Sequence, residues 1–96
     1  MSTSRAPVEA VYSVDIPVGH KSCTVRVLPD NELRLYVANC LRKRSNLKDG
    51  FEIQYVSSNV ELYWEEHHFI EARYDCTNRT LQVSVNRRTV FETFVA

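Results

Sequence analysis

Alternating apolar and polar residues near the start of the chain predict two β-strands. Apolar residues occupy every second position of residues 12–18, and they do so again over residues 23–27. A period of two is that of a strand with one buried face. Gly19, His20 and Lys21 lie between the two runs and suit a tight turn. The sequence therefore predicts a β-hairpin at the start of the domain.

The apolar spacing changes in residues 29–44, and this segment is predicted to be the single helix of the chain. Asp30 or Asn31 suits the N-cap position. The apolar residues that follow at helical spacing are Leu33, Tyr36, Val37, Cys40 and Leu41. Their spacing forms one apolar stripe along a helix. Three consecutive basic residues end the segment, where positive charge favours a helix C-terminus.

Alternation resumes after the predicted helix and indicates further strands. The strand-like segments are residues 51–56, 60–65, 81–85 and 89–95. Ser57, Ser58 and Asn59 are predicted to form the turn between the first two of these segments. Residues 66–77 fit either a strand or one helical turn. A turn at residues 86–88 is expected to lead the chain back into its last strand.

This order of elements predicts an α+β domain in which a single helix packs on a mixed, mostly antiparallel β-sheet. Residues 1–10 are predicted to be a flexible N-terminal leader, and residues 11–96 are predicted to form the single domain. The predicted core consists of Val14, Ile16, Val25, Val27, Leu33, Val37, Leu41, Ile53, Leu62, Trp64, Leu81 and Val83.

Composition argues against several classes of function. Twelve basic and twelve acidic residues cancel, so the chain has no overall field to attract nucleic acid or an anionic membrane. The three cysteines are widely spaced, which fits reduced thiols better than a metal knuckle. The sequence contains no apolar stretch of membrane-spanning length and no apolar run like that of a signal peptide. An intracellular protein, cytoplasmic or nuclear, is expected.

The densest cluster of ionisable side chains is Glu65, Glu66, His67 and His68. Adjacent residues of a strand point to opposite faces, so the two histidines should not share one ion. A metal-dependent enzyme would need a third ligand from elsewhere in the chain, and a solvated loop explains the cluster more simply. No nucleophile elbow and no glycine-rich phosphate loop is present in the sequence. We expect no enzyme, no cofactor and no metal site.

Two segments resemble ubiquitin-like domains, which have the β-grasp fold. In residues 72–85, a short turn that carries Tyr74 leads into a strand beginning Thr80-Leu81, as in the last part of such domains. Residues 51–56 resemble their third strand and that of the first lobe of FERM domains. The resemblance covers residues 11–86 and implies the order ββαββ(β)β.

The chain also departs from ubiquitin in two respects. It ends in residues 93–96, Thr-Phe-Val-Ala, and has no diglycine tail for conjugation. The sheet face that is apolar in ubiquitin would here carry Gln54, Gln82 and Ser84. The resemblance therefore implies an adaptor or scaffold of the Ras-association kind rather than a conjugated modifier.

In Ras-association domains the second strand and the first helix present basic residues to an acidic partner, whose strand adds to the sheet edge. By this resemblance the predicted partner-binding residues are Lys21, Thr24, Arg26, Arg34, Arg42, Lys43 and Arg44. The predicted function is a non-catalytic protein-interaction module that binds an acidic surface or a β-edge. A solvated helix end is the simpler explanation of the last three residues.

The sequence leaves two alternatives open. A small nucleic-acid-binding or viral accessory protein could combine the basic cluster with nearby aromatic residues such as Tyr36 and Trp64. The neutral net charge and the acidic residues beside Trp64 argue against it. The apolar run of residues 89–96 could pack on its own sheet, or it could join two copies of the chain in a homodimer.

Overall fold

The computed structural model describes residues 10–45, 52–63 and 66–95, and eight β-strands account for most of them. The strands are β1 Tyr12–Val18, β2 Lys21–Val27, β3 Leu33–Val37, β4 Cys40–Arg44, β5 Ile53–Tyr63, β6 Glu66–Asp75, β7 Thr80–Val85 and β8 Arg88–Phe94. Sheet A has the order β1-β2-β3-β4 and sheet B the order β5-β6-β7-β8. Every pairing in both sheets is antiparallel.

The two sheets pack face to face on a single apolar core. The largest fully buried side chains include Val25, Leu33 and Leu35 of sheet A and Val60, Ile70 and Leu81 of sheet B. Tyr12 of β1 stacks on Phe91 of β8, with the ring centroids 6.4 Å apart. At the opposite side of the molecule, β4 lies beside β5. The architecture is therefore a two-layer sandwich in which β1 lies near β8 and β4 lies near β5.

The predicted α+β class is wrong, because the described residues contain no helix and form an all-β fold. Residues 33–44, predicted as helix, form the hairpin of β3 and β4. Leu33, Leu35 and Val37 alternate in period two and are all buried, which gives β3 a continuous inner face. Leu41, which the helical spacing placed in the core, is 48 % exposed.

A two-residue turn explains why the chain reverses where a helix was predicted. Ala38 and Asn39 have φ angles of 52° and 68°, so both lie in the left-handed region. Two such residues match the twist of the flanking strands and favour a hairpin. Beyond the turn, the register shifts between Leu35 and Tyr36, and Arg42 becomes the additional residue of a β-bulge in β4.

We expect Ala38→Gly to stabilise the protein by about 0.5–1 kcal/mol, because glycine adopts a positive φ without a steric cost. The same change in the middle of a helix would destabilise by a similar amount. The sign of the change in chemical denaturation therefore distinguishes the two structures. A loss of stability would contradict the hairpin. Ser22→Gly, a change to glycine inside strand β2, serves as a control that should destabilise.

A second correction concerns residues 57–59, which were predicted as a turn but lie inside the long strand β5. Gln54, Val56, Ser58 and Val60 form its inner, buried face. Ile53 is therefore on the outer face, 47 % exposed, and not in the core. Because Gln54 and Ser58 on this buried face are polar, the sequence of β5 does not show an alternation of apolar and polar residues in the correct phase.

The remaining predictions have mixed outcomes. The hairpin of β1 and β2 and the last strand are confirmed. Val14 and Leu62 pack against the core but are only partly buried, and the other predicted core residues that are described, apart from Leu41 and Ile53, are buried. Trp64 and residues 1–9 of the predicted leader lie outside the described residues.

A membrane-spanning helix is not found among the described residues.

Candidate functional site

A groove of about 490 Å3 opens where β4 lies beside β5, and we call it the β4–β5 groove. Its lining consists of Lys21, Arg42, Lys43, Ser57, Ser58, Asn59, Glu61 and Phe69. Three of these side chains are basic and one is acidic. The lining is therefore positive in balance and rich in hydroxyl and amide groups.

Arg42 reaches across the groove because it is the bulged residue of β4. Its Nη1 donates hydrogen bonds to Ser58 Oγ at 3.3 Å and to the Asn59 carbonyl oxygen at 3.2 Å. Ser58 Oγ donates to the same carbonyl at 3.0 Å. These bonds hold one edge of the guanidinium on β5. A guanidinium has five N–H donors in a planar fork, so its other edge has the geometry to bind a carboxylate.

Lys21 and Lys43 join Arg42 through the pairing of the strands. Lys21 is the first residue of β2, and Lys43 lies opposite Leu35 in the register of β3 and β4. Burial raises the pKa of the Cys23 thiol, while the charges of Arg42 and Lys21 act in the opposite direction. Lys21 is in phase with the buried Cys23 in β2, and Lys43 lies opposite the buried Leu35, so both lysines lie in the phase of the inner face of sheet A.

The aromatic wall of the groove is held by the turn between β7 and β8. The Phe69 N–H donates to Asn86 Oδ1 at 2.9 Å, and the Phe69 carbonyl accepts the Asn86 N–H at 2.8 Å. Because Oδ1 accepts a bond, the Asn86 amide nitrogen faces His68 Nδ1, 2.8 Å away, as a donor. His68 Nδ1 is then the acceptor, and its Nε2 carries the proton towards Glu66.

Two of the predicted site residues, Arg34 and Arg44, instead form an ion-pair cluster with Glu32. Arg34 Nε and Arg44 Nε lie 2.8 Å and 3.0 Å from Glu32 Oε2, and the Glu32 side chain is only 8 % exposed. The hydrogen bond from Arg44, supported by that from Arg34, lowers the pKa of the Glu32 carboxyl against the opposing effect of burial. The two arginines are cross-strand neighbours, so the carboxylate also relieves their mutual repulsion.

Thr24 and Arg26, also predicted as site residues, lie on the outer face of sheet A. The Thr24 hydroxyl donates to Asp15 Oδ1 at 2.8 Å, and Thr24 is buried. The Arg26 guanidinium lies over the Tyr36 ring, 4.9 Å from its centroid. The structure thus brings Lys21, Arg42 and Lys43 together and leaves the other four predicted residues in separate structural contacts.

Comparison with known protein families, curated proteins and solved structures found no match to this chain. The ubiquitin-like resemblance implied a helix after the first hairpin, and β3 and β4 occupy that place.

The two histidines make separate contacts with carboxylates. His67 Nδ1 lies 4.0 Å from Glu61, and His68 Nε2 lies 3.1 Å from Glu66. Neighbouring positions of β6 direct the two imidazoles to opposite sides of sheet B. Over the described ranges, no three histidine, cysteine or carboxylate side chains are grouped so that they could hold a metal ion.

Five groove residues were missed from the sequence: Ser57, Ser58, Asn59, Glu61 and Phe69. The first three were predicted as a turn, Glu61 lay in a predicted strand without a role in the site, and Phe69 lay in the segment left open between strand and helix. The signal that was overlooked is the alternation of Val56, Ser58 and Val60, which continues through the polar residues. Ser58 is buried like its apolar neighbours, as a strand with this phase requires.

Proposed function

We propose that this chain is a non-catalytic interaction module that binds an acidic segment of another protein in the β4–β5 groove. The observation that supports this proposal is the convergence of Lys21, Arg42 and Lys43, from two strands that are not neighbours, on one groove. Lysine and arginine in such a cluster bind carboxylates by charge-assisted hydrogen bonds.

The groove suits an extended peptide better than a small anion. β4 is an edge strand of sheet A, and all five of its residues are exposed. An acidic strand that lies along this edge can gain main-chain hydrogen bonds, while its side chains supply selectivity. Phe69 offers an apolar contact beside the cations. These features favour alternating acidic and apolar residues in the ligand.

A nucleic acid is the second class of ligand that basic residues can bind, and three observations disfavour it. The net charge of the chain is zero, and Glu61 lies among the groove residues. A phosphate backbone needs a stripe of uncompensated cations, whereas Arg34 and Arg44 are engaged by Glu32.

The groove lining contains neither a histidine nor a cysteine. Its described side chains therefore include neither an imidazole base nor a thiol nucleophile.

The test is a binding measurement with a fluorescent peptide of alternating glutamate and valine, compared with a glutamine–valine peptide of the same length. We expect the unmodified chain to bind the glutamate peptide. The double variant Arg42→Glu, Lys43→Glu should bind it at least about tenfold more weakly, since hydrogen bonds to charged groups contribute about 1.5–3 kcal/mol. The matched control is Arg73→Glu, Arg79→Glu, which changes the net charge equally at residues outside the groove lining.

Equal binding by the unmodified chain and the groove variant would contradict the proposal. Equal losses in the groove variant and the control variant would also contradict it, because only the net charge would then matter. A labelled single-stranded oligonucleotide in the same assay tests the alternative. Tighter binding of the oligonucleotide, with an affinity that falls steeply as salt increases, would replace the acidic peptide by nucleic acid.

A further inference from the structure

Strand β8 is an edge of sheet B and lacks the protection that other edges have. β1 contains Pro17, which has no N–H to donate. β4 combines a bulge with three consecutive basic residues, which repel the same strand of a second copy while leaving the edge open to an acidic segment. β5 lies beside β4. β8 contains neither proline nor lysine, and its Val90 and Phe94 are 49 % and 66 % exposed.

The pairing of β7 with β8 determines which backbone groups of β8 point away from sheet B. The Val95 N–H donates to a main-chain carbonyl on the β7 side at 2.7 Å. Bonded and non-bonded positions alternate along an antiparallel strand, so Phe91 and Thr93 also bond towards β7. Glu92 and Phe94 therefore direct their N–H and C=O groups to the open edge.

We propose that β8 pairs antiparallel with β8 of a second copy of this chain, with Thr93 opposite its own counterpart on the two-fold axis. In this register Glu92 of each copy exchanges both main-chain hydrogen bonds with Phe94 of the other. Phe91 lies opposite Val95, and the two four-stranded B sheets become one continuous sheet. This interface is independent of the β4–β5 groove, which lies at the opposite edge of sheet B.

The bulge in β8 and the charge of Glu92 favour this register over one shifted towards the start of the strand. The register shifts between Val83 and Ser84, so Val90 is the additional residue of β8 and regular pairing begins at Phe91. The proposed pairing uses only residues 91–95. A shift by one step towards the start of β8 would require Val90 and would place Glu92 opposite Glu92, which is destabilising. A shift in the other direction would place Phe94 opposite Phe94 and move the two Thr93 residues apart. Opposed threonines and opposed apolar residues are favourable cross-strand pairs.

Side chains beside the edge add to the main-chain bonds. Tyr12 stacks on Phe91, and the neighbouring Val11 is 51 % exposed, so β1 places apolar surface next to the proposed axis. A second copy contributes the same set, as an isologous interface does. A pairing of one short strand still buries little area, so we expect a weak dimer whose population rises with protein concentration.

The register is tested by disulfide trapping in a background with Cys40→Ser and Cys76→Ser, which leaves only the buried Cys23. Thr93→Cys places two sulfur atoms on the axis at a non-bonded pair, where Cα atoms are about 4.5 Å apart and a disulfide fits. The control Glu92→Cys places them at a diagonal distance of about 7–8 Å, which is too long. We expect Thr93→Cys to give covalent dimer under mild oxidation and Glu92→Cys to remain largely monomeric. Equal trapping of both would overturn the register.

Analytical ultracentrifugation of the unmodified chain over a range of protein concentrations tests dimer formation without introduced cysteines. Phe94→Glu places glutamate opposite Glu92 of the other copy and should abolish the rise in mass. Adding Glu92→Lys to that variant should restore it, because opposite charges then face each other. Ile53→Glu, a change at an exposed apolar residue of β5, should behave like the unmodified chain. A mass that stays monomeric at millimolar concentration, or no rescue by Glu92→Lys, would overturn the proposal.

Discussion

Replacing Leu35 by alanine is expected to lower the free energy of unfolding by about 3 kcal/mol, as for other fully buried leucines. Leu35 is completely buried in the core between the sheets. Leu41→Ala is the matched control, because it removes the same atoms from a side chain that is 48 % exposed. The control should change stability by less than about 0.5 kcal/mol. Urea denaturation followed by tryptophan fluorescence measures both.

This pair of variants also decides between the strand and the helix for residues 33–44. In the helical spacing Leu41 belongs to the buried stripe and Leu35 does not. In the hairpin the roles are exchanged, since β3 buries every second residue. A larger loss of stability in Leu41→Ala than in Leu35→Ala would therefore contradict the hairpin of β3 and β4.

The second large effect is expected from Glu32→Gln, which we predict to destabilise the protein by about 2 kcal/mol. The change removes the buried carboxylate and leaves Arg34 and Arg44 as like charges on adjacent strands. Complete burial would raise the cost to about 3–5 kcal/mol. The arginine side chains are 29 % and 49 % exposed, so water screens part of the repulsion.

The pKa of Glu32 gives this prediction a pH dependence. Its folded-state pKa is lowered, so the unfolded chain binds more protons as the pH falls below the ordinary glutamate value of about 4.3. The stabilisation by Glu32 is thus complete above that value and is lost as the pH falls through the folded-state pKa. We expect a shallower loss of stability on acidification in Glu32→Gln than in the unmodified chain.

The sequence predicts the strands of this fold well where period two is the only period present. Residues 12–27 alternate without competition, and their hairpin is confirmed. Leu33 and Val37 fit both a strand and a helix, so only the burial of Leu35 separates the two. The turn between β3 and β4 consists of Ala38 and Asn39, whereas the usual sequence signal for such a turn is an Asn-Gly pair. Because this signal is missing, the sequence favoured a helix.

The candidate site could be predicted only in part, because tertiary contacts decide which cations are available. Arg42 and Arg44 are two residues apart and look equivalent in the sequence. The bulge directs Arg42 to β5, whereas Arg44 pairs with Glu32. Glu32 is buried because Arg34 of β3 and Arg44 of β4 approach it. No pattern in the neighbouring sequence predicts this burial.

Strand neighbours in both sheets are also neighbours along the chain, and this order has a consequence for folding. Each hairpin closes a short loop at little entropic cost, so both sheets can form from local contacts. The step that joins distant parts of the chain is the packing of one sheet on the other. During synthesis on the ribosome, sheet A emerges first and presents Val25, Leu33 and Leu35 to solvent until sheet B follows. That interval is when the nascent chain is most exposed to aggregation and most in need of a chaperone.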